Sequence, residues 1–306
     1  MTSTVLAAEF SATTTYSNTA YLLLLYAFVV AAFALFAAGL YGVKTASEVS
    51  KAYRASAIAS TCICWVATAA YAVLIIEWVT NFSPTPDGLH YAPARAAVIT
   101  ELRYMDWSVT VPLLTVELLA VAALTRAQTI RWRTAAVVSA ALMIVTGFLG
   151  VIFGQDALRG VNAAMWVWGA ISTAFFVVLY VVAARAYRAS TAALSPASSK
   201  SYRAALILLF TVFLAYPLAY LVPWWAGADN PGWATAEQLT FTIADIAAKA
   251  GFGLLIHRTA KLRTAHDAEH AASTPHRIAA AVPDTMASEV WISGELLSVP
   301  PAPTQP

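Results

Sequence analysis

Charge is what this 306-residue chain has least of: Asp, Glu, Lys and Arg make up 11% of it, against 60% hydrophobic residues. Its mean hydropathy is +0.68. Soluble domains carry about 25% charged residues, so a water-soluble globular class is excluded and a membrane protein is expected. Cysteine is nearly absent. Cys62 and Cys64, two apart in an apolar run, are the only ones, which leaves neither a disulfide framework nor a four-ligand metal site. They read as small packing residues. The first 20 residues hold no Lys or Arg, so the basic start of a secretory signal is missing and the first apolar run is expected to insert and stay. No tandem repeat of fixed period is visible, and no nucleic-acid partner is expected.

What the chain has is long apolar runs. Tyr21–Val43, Ala55–Ile76, Thr134–Gln155, Gly160–Ala184 and Ala204–Ala228 contain no charged residue, and Ala97–Leu124 and Ala236–His257 contain a few. About 20 apolar residues cross a bilayer as a helix, so the expected fold is an all-α bundle of seven transmembrane helices. Fourteen of the 18 cations lie in the first, third and fifth connections or after the last span: Lys44, Lys51, Arg54; Arg126, Arg131, Arg133; Arg185, Arg188, Lys200, Arg203; Arg258, Lys261, Arg263, Arg277. Only Arg95 and Arg159 fall in the other loops. The positive-inside rule then places the N-terminus outside and the C-terminus in the cytoplasm. The expected division is an extracellular segment over 1–20, the helical domain over 21–263, and a disordered cytoplasmic tail over 264–306, rich in Ala, Ser and Pro. Thr80–Arg95, with Pro84, Pro86, Gly88 and Pro93, is the one other long connection.

Ionisable residues are costly inside a bilayer and are functional candidates there. They concentrate in two spans. On the third, Arg103, Asp106, Thr110 and Glu117 stand at offsets of 3, 7 and 14 residues from the first. At about 100° per residue Asp106 and Glu117 share one face, about 16 Å apart along the axis. On the seventh, Asp245 and Lys249 stand at i and i+4, which stacks an acid against an amine. A buried lysine needs a partner to stay charged. The spacing alone leaves two readings open: an ion-pair network that locks two helices together, or a covalent or ion-handling site, since buried lysines are the usual Schiff-base formers.

Four segments in order decide between them. RYMDWSVTVPLL on the third span, WVWGAIST on the fifth, AYPLAY on the sixth and ADIAAKAGFG on the seventh resemble the corresponding helices of the microbial rhodopsins, from the first span to about Arg263. The resemblance implies an integral, multi-pass protein of the plasma membrane carrying all-trans retinal on Lys249 as a protonated Schiff base. Asp106 and Asp245 resemble its paired counterions, Asp106 being also the primary proton acceptor, with Thr110 its hydroxyl companion and Glu117 the internal donor. That Asp, Thr, Glu triplet is similar to proteorhodopsin-like and xanthorhodopsin-like outward proton pumps. Arg103 resembles the gate toward the outer surface, and Glu237 falls where some relatives have a proton-release carboxylate.

The resemblance also implies a pocket. Trp107, Leu114, Met143, Trp168 and Ser172 match its positions on the third to fifth spans, and Phe176, Phe213, Tyr216, Pro217 and Tyr220 those on the fifth and sixth. Without the motifs, aromatic residues in spans read as packing or interface belts, a reading that fits Trp224 and Trp225. Three departures stand out. Ala70 occupies the position where many proteorhodopsins have a His paired with the acceptor, Phe213 stands where Trp is usual, and Gly169 follows Trp168 where many relatives have a second Trp. Such a glycine resembles the opening used for a carotenoid antenna; a helix-packing glycine is the other reading. Glu101 is about 140° from Asp106 and is expected to face a neighbouring helix or protomer, while Glu77 reads as an interfacial carboxylate. The family further implies a homo-oligomer, trimer or pentamer, in contact with membrane lipids.

The expected activity is that of a transporter and not an enzyme: one proton moved outward per photon. Burial keeps Glu117 neutral at rest, so it can resupply the nitrogen after Asp106 has taken its proton. A photosensor, inward pump or channel of the same fold is the first alternative, and a retinal-free seven-helix transporter or receptor is the second.

Overall fold

The computed structural model describes residues 10–94, 98–156, 160–226, 230–272, 290–292 and 295–298. Arg95, Arg159 and Arg277, and most of the tail, lie outside the described residues. Seven helical rods follow one another: α1 (Asn18–Lys44), α2 (Arg54–Asn81), α3 (Ile99–Ala120), α4 (Arg126–Gly154), α5 (Ala163–Ser190), α6 (Pro196–Phe213, resumed as Ala215–Tyr220) and α7, which begins at Pro231 and ends at Ala272. Consecutive rods pack side by side, and α7 closes the ring against α1 and α2. Six are long and apolar enough to cross a membrane; α3 is the seventh rod, set apart by its charges. Large apolar side chains such as Tyr26, Phe33, Met105 and Ile243 are at least 60% exposed on the outside of the ring, as lipid-facing surfaces require.

Several helices start well before the apolar runs do, because polar residues cap them. Ser17, Thr125, Asn162, Ser195 and Asn230 each accept a backbone N–H of the first turn of α1, α4, α5, α6 and α7. At Thr125 the cap is reciprocal, with Gln128 reaching back, and α4 therefore begins eight residues ahead of its uncharged stretch. Pro196 and Pro231 follow their caps at first-turn positions, where the missing N–H costs nothing. α6 breaks at Leu214, since Pro217 can neither donate to the carbonyl of Phe213 nor sit flush against it. α7 holds a π-helical turn, Ala247–Gly251, and Lys249 is its middle residue. Such turns insert an extra residue and re-aim the side chains that follow.

The connections are not all loops. The segment expected as a turn-rich loop is a hairpin of β2 (Phe82–Pro84) and β3 (His90–Pro93), and β1 (Tyr16–Ser17) pairs with β3 to complete an antiparallel sheet across one end of the bundle. Gly88, at φ 69°, makes its turn. Beside it, Asp87 accepts from the Thr85 hydroxyl at 2.5 Å and from Leu89 N–H at 2.9 Å. These bonds hold the Asp87 carboxyl at about 2. At the other end α7 runs to Ala272, nine residues into the expected tail. Val290–Ile292 and Glu295–Ser298 pair as a further antiparallel hairpin. The expected disorder over 264–306 is corrected in both places. Each rests on local order that composition hides, Tyr53–Asp267 and Arg263–Val121 bonds to the helix in one case and an apolar strand pair in the other.

Cys64 is buried and Cys62 exposed, and both are free. At Gly154 the end of α4 touches α5: an added Cβ would lie 2.4 Å from the backbone N and Cα of Met165. Gly154→Ala is therefore expected to cost about 1–3 kcal/mol, read as a lower thermal midpoint in detergent. An unchanged midpoint would contradict this close approach.

Candidate functional site

The charged residues of α3 and α7 meet at mid-bundle. Lys249 Nζ lies 2.6 Å from Asp106 Oδ2 and 2.7 Å from Asp245 Oδ1, all three side chains being 3% exposed or less. The acid and amine at i and i+4 on α7 are thus bridged to the acid on α3, as the spacing predicts. Asp245 is the better satisfied carboxylate. Its Oδ1 also accepts from Trp107 Nε1 at 3.0 Å and Tyr216 Oη at 2.9 Å, and its Oδ2 from Tyr71 Oη at 3.0 Å and Arg103 Nη1 at 3.5 Å. Asp106 is different. Its Oδ1 is buried with no hydrogen-bond partner among the described residues. Thr110, expected as its hydroxyl companion, gives its one proton to the backbone carbonyl of Asp106 at 2.9 Å and not to the carboxylate. That is the usual bond of a threonine inside a helix.

Two cations and two carboxylates in one dry region sum to no net charge, the condition under which buried ions persist. Arg103 is held from several sides. It donates to Gln238 Oε1 at 2.9 Å, Thr242 Oγ1 at 3.1 Å and Tyr71 Oη at 3.1 Å, and it lies over the rings of Phe28, Tyr71 and Phe241 at 5.4 to 5.6 Å. Tyr71, Gln238 and Thr242 were not singled out by their sequence. The signal was present for the latter two, since they stand seven and three residues before Asp245, near one face of α7. Glu237 is buried next to Gln238. Ala70, at the position of the missing His, lines a cavity of about 10 Å³ with Tyr71, Arg103, Asp106 and Asp245, room for about one water.

On the far side of the ion cluster is a larger apolar cavity of about 280 Å³. Trp107, Met143, Ser172, Phe176, Phe213, Tyr216, Pro217 and Tyr220 line it, all of them expected. Leu114 and Trp168 are not among its lining residues. Leu114 is buried one turn past Val111 on α3, and Trp168 packs its Cβ against Gly150. Tyr104, Val111, Ile144, Gly147 and Phe241 complete the wall. Trp107 and Tyr216, which both donate to Asp245, join this cavity to the amine of Lys249. Gly169 also lines it, and an added Cβ there would meet the Tyr220 ring at 3.0 Å. With Gly150, whose added Cβ would strike Tyr220 Oη, it forms a slot for that tyrosine, and Tyr220 donates to Met165 O at 2.9 Å. The packing reading of Gly169 thus has a definite partner.

Glu117 lies apart from this cluster, about 16 Å along α3 from Asp106. It is fully buried, and neither carboxyl oxygen has a well-formed hydrogen bond among the described residues. The Ser60 hydroxyl on α2 is the polar group that approaches it. Glu101 is half-buried with Oε2 unpartnered, Glu77 bonds to Asn81, and Trp224 and Trp225 are exposed at one end of the bundle. The described residues contain no group of three metal-ligating side chains.

This arrangement has known counterparts. The family described as bacteriorhodopsin-like protein matches residues 20–262. Archaerhodopsin-1 of Halorubrum ezzemoulense is 31% identical over 159 residues, 51% of this chain and 56% of its own length. Bacteriorhodopsin of Halobacterium salinarum is 31% identical over 160 residues, 51% of this chain and 55% of its own. The matched segment thus spans little more than half the length of these relatives. Among solved structures, xanthorhodopsin, described as a light-driven ion pump with dual chromophore, superposes with a TM-score of 0.75 at 30% identity, covering 83% of this chain and 98% of that one. A thermophilic rhodopsin gives 0.74 at 25% identity with the same coverage. With its seven rods and exposed apolar belt, the chain is an integral multi-pass membrane protein and belongs to the bacteriorhodopsin-like family, the microbial type 1 rhodopsins.

Proposed function

We propose that the protein is a light-driven outward proton pump that carries all-trans retinal on Lys249. The observation that carries this reading is the pairing of Lys249 with two unequal carboxylates beside an apolar cavity whose walls, Trp107 and Tyr216, bond to one of them. The residues present fit the group. A cavity of about 280 Å³ is near the lower end of small-ligand sites, about 300 Å³, and its aromatic walls suit a flat polyene. When bound on the Lys249 nitrogen, retinal would supply light absorption and an isomerisation that re-aims the proton held there.

The rest is done by the chain's own residues. Asp245, with five donors on its two oxygens, gains little from a proton and remains the fixed counter-charge. Asp106, with one oxygen open, is the carboxylate that can take a proton from the Lys249 nitrogen. Arg103, between this cluster and the end that carries the three-stranded sheet, loses part of its counter-charge when Asp106 becomes neutral, and its field then favours loss of a proton from acids toward that end. Glu117, in a pocket without a cation, is the group that returns a proton to Lys249. The cation distribution supports an outer face at the sheet end, with 14 cations allotted to the opposite side. The protein then acts as a transporter with protons as its substrate, in the plasma membrane. In this reading 1–20 is the outer segment, 21–263 the retinal domain and 264–306 the cytoplasmic extension.

Lys249→Ala is expected to abolish visible absorption after addition of retinal; normal colour in that variant would sink the assignment. Glu117→Gln should keep the colour and slow the late recovery of the photocycle by about a hundredfold, the low end of what a placed proton donor contributes. Flash photolysis of the purified variant checks this, and wild-type recovery would remove Glu117 from the path.

A further inference from the structure

The face of α7 that carries Lys249 continues past the ion cluster. Gly253, one turn on, is pressed against Ser60 and Glu117: an added Cβ would lie 2.5 Å from Ser60 Oγ and 3.5 Å from Glu117 Oε1. His257 comes a further turn on, about 6 Å along the axis and about 40° round, and it is only 5% exposed. Its Nε2 lies 2.8 Å from Thr45 Oγ1. That hydroxyl spends its single proton on Tyr41 O at 2.8 Å, so Nε2 must be the donor and Nδ1 is the atom left to accept a proton. The Tyr41 ring meets the imidazole edge-on at 5.7 Å. One turn beyond, Lys261 pairs with Glu48 at 2.5 Å and reaches Tyr41 Oη at 3.4 Å. Glu48, 18% exposed at its side chain, lies in the connection between α1 and α2.

Along one side of α7, then, stand an amine, a buried carboxyl, an imidazole and an ion pair whose lysine is buried and whose Glu48 is the partly exposed member, at intervals of about one turn. We propose that His257 is the relay through which Glu117 regains its proton from the end of the bundle that carries Glu48. The proposal rests on the pump reading above. After Glu117 has given its proton away it is a buried carboxylate with no well-formed hydrogen bond, which is strongly disfavoured. His257 takes a proton at Nδ1 from water at the Glu48–Lys261 end and passes that proton to the Glu117 carboxylate through water. Its Nε2–H stays on Thr45 throughout, so the ring returns to its starting tautomer. One proton enters, one arrives at Glu117, and no charge remains on His257. Tyr41 and Lys261 are the titratable groups that face the ring, and the Lys261 charge is answered by Glu48. A transient imidazolium therefore does not face a bare cation.

The alternative is a brace: a satisfied histidine that ties α7 to α1. His257→Gln separates the two, because an amide can still donate to Thr45 but cannot carry the proton. In purified full-length protein with retinal, flash photolysis of this variant should show unchanged colour and unchanged first proton transfer. Late recovery should be slowed about tenfold, less than the hundredfold that loss of the direct donor costs, and restored by added imidazole. Recovery at the wild-type rate overturns the relay, as does slowing that imidazole leaves untouched and that comes with a lower thermal midpoint. Wild-type protein offers a second measurement that needs no variant. Time-resolved infrared spectra with ring-labelled histidine should show an imidazolium that decays as the Glu117 carboxylic acid reappears, and its absence also overturns the relay. If the wild type moves no proton in light, the pump reading fails and the relay falls with it, whereas pumping without a histidine signal removes the relay alone.

Discussion

A lysine whose ammonium sits in a dry bundle, 2.6 Å from one carboxylate and 2.7 Å from another, is the constraint around which this structure is arranged. Each ion alone would cost several kcal/mol to bury. Together with Arg103 the four charges cancel, and the arrangement is affordable only because α3 and α7 face each other at this level. The hydrogen bonds of Trp107, Tyr71 and Tyr216 to Asp245 strengthen the hold of α3 and add two helices, α2 and α6, to the same knot. The π-helical turn at Lys249 and the proline break in α6 lie next to it, so the two irregular stretches of backbone are both at the site. Irregular backbone at membrane depth is tolerated where protein satisfies it.

The two carboxylates are chemically alike and structurally unequal, and function follows from the inequality. One is saturated with donors; the other has an open oxygen beside a void of about one water's size. The void exists because Ala70 is small. Glu117 is set apart by a different device, which is burial with no cation acting on it among the described residues and the tight approach of Gly253. In the proposed pump a path for protons needs no pore, only carboxyl groups whose surroundings differ in charge and access.

Much of this was legible in the chain itself. Seven apolar runs predict seven rods, and the offsets of Arg103, Asp106, Glu117, Asp245 and Lys249 predict which two helices carry the ions, because helical period and burial cost are local arguments. What the sequence left open depends on contacts between distant segments. Tyr71 and Gln238 look like ordinary span residues until Arg103 is seen between them. The slot that Gly150 and Gly169 make for Tyr220 involves three helices. Thr110 has the right spacing to serve Asp106, yet the backbone carbonyl competes for its proton and wins. Helix ends were misjudged for a plainer reason. Apolar runs mark what must be buried, whereas caps such as Thr125 and bonds such as Tyr53 to Asp267 mark where helices stop.

The central claim is that light moves protons through this bundle from the end rich in cations to the end closed by the sheet. The most direct test is the external pH of an unbuffered suspension of cells that express the protein with retinal, recorded under illumination with and without a protonophore. The account predicts acidification that the protonophore abolishes. Alkalinisation abolished in the same way would contradict the direction, and coloured cells with no light-dependent change of pH would contradict the pump itself.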